Sequence, residues 1–395
     1  MPPTLGGTVK DFREPRAPRV RRLDPLLLLA ALGLIACSVY VIGTATEDDI
    51  PGDSLYYVYR QAAYGVIGIG LMLALARFDY SRLREWKAGL YAIMIAAILL
   101  VLAVGATARG SKRAIDFGFF SFQSSELGKV LLILALSGFL VDRIRRLGDR
   151  ETTSNIMLLA LVPAMLVVAQ PDLGSGLVYL AVALCVLFVA GTKWTHFAAL
   201  GGIGLAAVVV VMVAAPAVGI QVLKPYQEDR LTAFLHPTDN PRKEGYQINQ
   251  SLTAIGAGGK TGRGDEATQT KLDFLPEHHT DFVFSVVGEE FGFVGAAVVL
   301  SLFALLIWRS LRILTMSKNL YGALVAGGIT AMLMFQVFVN VGMTLGIMPI
   351  TGLPLPLISY GGSSVLVTFM AIGLLQSIHA QARETAQAKA LLRDS

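Results

Sequence analysis

Charged side chains are sparse in this chain, and a few fall inside apolar runs where they could do chemistry. The stretch FLPEHHTDFVFSVVGEEFG, residues 274–292, sets Asp281 at the mouth of an apolar run and Glu289 and Glu290 in its body. A second run, SSELGKVLLILAL, carries Glu126 and Lys129 at i, i+3, hence on one helical face. Charge at membrane depth is costly, so such residues point first to function. A carboxylate like Asp281 suits proton transfer; it equally suits the N-cap of the helix that follows. Glu126 and Lys129 read either as an ion pair that fixes packing or as a cavity-facing lysine held by its neighbour. In EHHTD, His278, His279 and Asp281 resemble metal ligands, but the HExxH spacing that puts two histidines on one helix face is missing, so no protein metal site is assigned.

These residues need a scaffold, and composition names its class. Of 395 residues 54% are hydrophobic and only 15% charged, against about 25% charged in a soluble domain. Apolar runs long enough to cross a hydrocarbon core of roughly 30 Å recur throughout, and they are continuous, not alternating, which excludes an outer-membrane barrel. The expectation is an all-α polytopic membrane protein with ten spans, at about 25–43, 60–77, 86–107, 125–141, 154–170, 173–190, 196–219, 282–308, 320–348 and 362–379. A basic segment 1–24 precedes the transmembrane domain 25–379, and a tail 380–395 follows it. The first apolar run is too long for a signal-peptide core and reads as an uncleaved helix. Cys37 and Cys185 both fall in apolar runs, so no disulfide framework is implied.

Most Lys and Arg in the short connections lie on the side of the N-terminus, which places both termini in the cytoplasm. The long loop 220–280, between spans seven and eight, is then extracytoplasmic. The net charge of +5 follows from this asymmetry and gives no reason to infer a nucleic-acid partner. One outer segment, ATARGSKRAIDFGFFSFQSS, breaks the rule with Arg109, Lys112 and Arg113. These are either tolerated exceptions or a binding site for an anion, with phosphate the obvious candidate. The glycine-rich GAGGKTGRG of the long loop lacks the context of a phosphate-binding loop. Between spans nine and ten, MPITGLPLPLISYGGSS cannot form a continuous helix. It is either a tight hairpin or, through the hydroxyls of Ser359, Tyr360, Ser363 and Ser364, a cavity wall.

The segments FQSSELGK, QPDLGS, YQINQSLTAIGAGG, FLPEHHTDFVFSVVGEE and TGLPLPLISYGGSS, in this order, closely resemble the SEDS family (shape, elongation, division and sporulation) of bacteria. The resemblance spans nearly the whole chain, and ATQTKLDFLPEHHTDF with PITGLPLP looks more like its elongation branch, RodA, than its division branch, FtsW. It implies a peptidoglycan glycosyltransferase of the plasma membrane that polymerises lipid II and works with a class B penicillin-binding protein, alongside other membrane proteins of the elongation machinery. The family's essential aspartate falls on Asp281, its arginine on Arg113, and its Glu and Lys on Glu126 and Lys129. Ser124 stands where the family usually has proline, and Ala114 where a bulky residue is common. Lipid II is α-linked to pyrophosphate and the polymer is β-1,4, so transfer inverts the sugar carbon. Asp281 is then the candidate base. Arg113 and Lys129, with Arg109 or Lys112, Glu126 as the holder of Lys129, and Ser363 and Ser364, would bind the pyrophosphate, and a divalent cation (Mg2+ or Mn2+) could share that task. Two other classes stay open. Intramembrane charge and broken helices also mark transporters, here a lipid II flippase, although no repeat relates the two halves. A scaffold that only recruits the transpeptidase would need no buried Glu126–Lys129 pair.

Overall fold

A computed structural model describes residues 23–47, 50, 53–108, 111–217, 227, 230, 234, 244–271, 274–276 and 278–394. Among the described residues nine helices are long and apolar enough to cross a membrane. They are α1 (Pro25–Ala45), α2 (Tyr56–Arg77), α3 (Lys87–Val104), α4 (Ser124–Asp142), α5 (Arg150–Ala169), α7 (Trp194–Ala217), α9 (Val283–Met316), α10 (Leu320–Thr344) and α11 (Gly362–Asp394). Between α5 and α7 lies α6 (Leu173–Val189), apolar but only 17 residues long, or about 26 Å at 1.5 Å per residue. Ten spans were expected, and α6 occupies the place of the sixth, ending one residue before the expected 173–190. α8 (Glu244–Gly258) belongs to the long connection between α7 and α9.

Four further differences have local causes. The third span ends at Val104, not 107, because Ala106–Ala108 (β1) pairs with Ser111–Asp116 (β2), which pairs in turn with Ser121–Phe122 (β3) in a small antiparallel sheet. The ninth ends at Thr344, before the left-handed Gly346 and the prolines of the following connection. Residues 380–394, the expected tail, are helical: α11 continues through them, since nothing in GLLQSIHAQARETAQAKALLRD breaks a helix. Finally, α9 is two helices joined at Gly292 (φ 61, ψ −157).

Packing divides the helices sharply. In their most apolar stretches α4, α10 and α11 are 83%, 72% and 89% buried, whereas α7 is 0% buried and faces outward along its length. Capping follows sequence: Asp24 accepts from the N–H groups of Leu26 and Leu27 ahead of Pro25, Asn319 from Gly322, and Asp172 from Ser175.

The break at Gly292 is completed from outside the helix. The turn after α8 donates Arg263 N to the Glu289 carbonyl at 2.8 Å. Its Gly259 and Lys260 carbonyls accept from Phe293 N and Val294 N at 3.0 and 3.1 Å. This is what GAGGKTGRG does. Gly262 is left-handed (φ 86), and a Cβ there would lie 2.0 Å from the Glu290 carbonyl, so only glycine lets the turn reach the helix.

Candidate active site

The FLPEHHTD segment is held in place through its backbone. Leu275 and Phe282 are buried with Ile248 of α8, Met343 of α10 and Ile350 in a small apolar cluster of their own. Between these anchors three successive carbonyls are pinned: Tyr360 N donates to His279 O (2.9 Å), Ser359 Oγ to Thr280 O (2.6 Å) and Asn340 Nδ2 to Asp281 O (2.8 Å). The proline-rich connection 345–361 that supplies two of these donors is itself gripped. Ser38 Oγ donates to Ile358 O at 2.7 Å, and the buried Gln61 donates to Ser38 Oγ at 2.8 Å and to Ser359 O at 3.2 Å. The N-cap position of α9 is Phe282, which makes no side-chain capping bond, and Asp281 lies one residue before it.

The Asp281 side chain, half-buried, lines a cavity of about 590 Å³. The rest of the wall comes from elements distant in sequence: Arg60 and Tyr64 of α2, Asp116 and Phe119 of the hairpin, Arg230 and Gln247 of the long connection, and Gly352, Pro354 and Tyr360 to Ser364. The proline-rich connection is therefore a cavity wall and not a mere hairpin. Tyr360, Ser363 and Ser364 reach the cavity; Ser359 does not, because its hydroxyl holds Thr280 O and accepts from Leu355 N. Ser363 is engaged as well, donating to Ser121 O at 2.6 Å and accepting from Gln123 N at 3.0 Å, which ties α11 to the start of α4. The Ser364 hydroxyl, buried at the cavity, has no hydrogen-bond partner among the described residues.

Glu126 and Lys129 pair with each other at 2.5 Å, both almost fully buried in α4. Neither is part of the wall that carries Asp281, though Gln123, one turn earlier, is. Asp172 of QPDLGS secures this end of α4, accepting from Ser125 Oγ at 2.8 Å and Gln123 Nε2 at 3.2 Å. Arg109 lies outside the described residues, and of Lys112 and Arg113 only the backbone, in β2, is described. Glu289 and Glu290 are buried polar partners. Glu289 accepts four hydrogen bonds at 2.7–3.0 Å, from the N–H groups of Thr268, Gln269 and Thr270 and the Thr270 hydroxyl. Glu290 accepts from Thr44 of α1.

Sequence reasoning missed Arg60, whose guanidinium lies 4.3 Å from the Tyr56 ring centroid and 5.6 Å from that of Phe119 at the cavity. Its signal was present: a charge inside the first turns of an apolar helix, the criterion that had singled out Lys129. Asn340 was missed too, an uncharged amide in an apolar run. His278 turns Nδ1 to the Leu275 carbonyl at 3.1 Å, and the His279 ring packs 5.1 Å from that of Tyr57. Among the described residues no group of three or more His, Cys, Asp or Glu could hold a metal ion.

A cavity lined by an aspartate and two arginines suits transfer at an anionic leaving group, and known proteins share the fold that frames it. The chain is 40% identical to a probable peptidoglycan glycosyltransferase FtsW of Thioalkalivibrio sulfidiphilus, covering 93% of this chain and 91% of that one. It is 38% identical to the peptidoglycan glycosyltransferase MrdB of Escherichia coli (90% and 93%) and 36% identical to the stage V sporulation protein E of Bacillus subtilis (90% and 95%). Among solved structures, a chain of a peptidoglycan synthase complex matches with a TM-score of 0.76 at 33% identity, over 91% of this chain and 98% of that one. The rod shape determining protein RodA of Thermus thermophilus matches with a TM-score of 0.64 at 30% identity (90% and 96%). The FtsW, RodA and SpoVE family of cell cycle proteins matches residues 22–384, and the chain belongs to that family.

Proposed function

We propose that this protein is a peptidoglycan glycosyltransferase of the bacterial plasma membrane that polymerises lipid II into β-1,4 glycan strands, with Asp281 as its general base. One observation carries the assignment of roles: the cavity brings the Asp281 carboxylate together with the guanidinium groups of Arg60 and Arg230 and the Ser364 hydroxyl. Positive charge in the short connections supports ten membrane crossings with both ends cytoplasmic, which puts this cavity at the outer face.

In the reaction the acceptor hydroxyl oxygen forms a bond to the anomeric carbon of the donor as the bond from that carbon to pyrophosphate breaks. The electron pair leaves with undecaprenyl pyrophosphate, and the hydroxyl proton passes to Asp281. Arg60 and Arg230 stabilise the departing charge, and Arg113, Lys112 and Arg109 are the further cations assigned to that task from the sequence. Lys129, held by Glu126, belongs to the same electrostatic field from within α4, and Ser363 and Ser364 close the wall. Mg2+ takes one or two carboxylates and completes its shell with phosphate oxygens and water. Asp116 is the other wall carboxylate, the one that would help hold such a cation against the pyrophosphate while Asp281 stays free to act as base.

The motifs ATQTKLDFLPEHHTDF and PITGLPLP support a role in elongation. The likeness to a synthase complex that coordinates polymerization and crosslinking supports a class B penicillin-binding protein as partner. The deciding experiment supplies labelled lipid II to purified protein, with and without that partner, whose own active site is blocked. Glycan polymer is expected. Transbilayer exchange of lipid II in vesicles without polymer, in the partner's presence, would replace this reading with a flippase.

A further inference from the structure

We infer that Asn340 is a positioning residue for Asp281, acting on the base through its main chain; this rests on the reading of Asp281 as the base. Residue 281 precedes the N-cap of α9, so no helical hydrogen bond fixes its backbone. What fixes it is the amide of a residue on another helix. Asn340 is fully buried in α10, and its Nδ2 donates at 2.8 Å to Asp281 O and at 2.8 Å to Leu353 O. Both partners are carbonyls and can only accept, so the nitrogen must be the atom that faces them. Its Oδ1 meets no partner among the described residues. The residue is an amide for the sake of its two N–H groups.

The second carbonyl tells what the bridge is for. Leu353 lies between Gly352 and Pro354, which line the same cavity as Asp281. One side chain on a rigid helix thus ties the residue bearing the base to the neighbouring segment of the cavity wall. Of the three pins on residues 279–281, the other two come from the connection 345–361, which Asn340 itself anchors. Removing the amide loosens the base and this part of the wall at once. Misplacement of a catalytic group by about 1 Å costs on the order of 100-fold in rate.

The test is polymerisation of labelled lipid II by full-length Asn340→Leu, Asp281→Asn and the double variant. Asn340→Leu keeps the branched shape and the number of heavy atoms and loses both donors. The expected result is kcat lowered about 10- to 100-fold, KM for lipid II within about threefold of wild type, and no further fall when the change is added to Asp281→Asn. A residue that serves only general packing would multiply its loss in full onto that of Asp281→Asn, and this outcome overturns the inference, as does a kcat within threefold of wild type. Should Asn340→Leu not fold, Asn340→Ser, which keeps one donor, takes its place and is judged by the same criteria. An Asp281→Asn protein with near-normal activity would instead remove the base assignment, so the two failures are told apart.

Discussion

Asp281 and Glu289 stand eight residues apart on one continuous stretch, both acidic, both beside or within an apolar helix, yet the molecule treats them in opposite ways. For Glu289 the fold uses the side chain: four donors converge on its carboxylate, and it is fully buried. For Asp281 the fold fixes the main chain, pins the neighbouring carbonyls, and leaves the carboxylate at a cavity. An acidic group saturated by backbone N–H groups is a structural cap for the Thr268–Lys271 turn. One whose backbone is pinned and whose residue lines a cavity sits where a substrate can meet it. The Glu126–Lys129 pair lies between these cases, saturated by one partner and close to the start of the helix that borders the cavity.

The largest effect should come from the reacting carboxylate. Asp281→Asn is expected to lower polymer yield by at least two decades, since a general base contributes about 100- to 10,000-fold. Its melting temperature should barely move, because Asn keeps the shape of Asp and caps helices about as well. Polymerisation and thermal unfolding measured on one sample settle both halves; activity within threefold of wild type would end the assignment.

Next in size is Lys129→Ala, which strands a buried carboxylate and should cost about 3–5 kcal/mol of stability. The double change Glu126→Leu with Lys129→Met removes both charges and should recover most of that stability. If it recovers polymerisation as well, the pair is structural; activity lost in a stable double variant places Lys129 in the electrostatics of transfer.

Glu289→Ala should act on folding alone, costing about 2–4 kcal/mol by leaving buried N–H groups without an acceptor. Specific activity of the folded fraction should stay within about threefold, a range far smaller than that of a general base. A 100-fold loss of kcat in well-folded Glu289→Ala would collapse the contrast with Asp281.

The smallest effect concerns a third carboxylate, Asp24. Burial raises its proton affinity, but the hydrogen bond from Arg309, the Leu27 N–H and the charges of Arg309 and His379 outweigh it and hold the carboxyl below the usual range. A depressed folded value contributes stability that is fully present above the unfolded value of about 3.9 and is lost as pH falls through the folded one. Unfolding temperature should therefore decline below about pH 4 more steeply in wild type than in Asp24→Asn. Parallel curves would show that the pairing adds no pH-dependent stability.

Much of this was legible in the sequence because membrane helices announce themselves. Apolar runs located the starts of α1 to α7 and α9 to α11 to within a few residues, although α9 and α11 run on past their expected ends, and intramembrane charge led directly to Asp281, Glu126 and Lys129. The break at Gly292 was not legible. Hydropathy is blind to backbone conformation, and the residues that complete the break lie thirty positions upstream. Asn340 escaped for a related reason: an uncharged amide barely dents an apolar run, and its partners are carbonyls, which carry no sequence identity. Ser363 was read as a cavity hydroxyl and does line the wall, but its bonds to Ser121 and Gln123 depend on a hairpin that composition does not reveal.

The completed break in α9 bears on how the protein is made. Phe293 and Val294 find carbonyl partners in Gly259 and Lys260, residues of the connection that precedes the helix. Until that connection has folded, these N–H groups face hydrocarbon, and each unsatisfied group there costs several kcal/mol. Insertion of α9 and folding of the segment 244–264 are therefore a single event in biogenesis. A chain stalled with that segment unfolded would present an incomplete span to the bilayer, a defect that membrane quality control could recognise before any substrate is met.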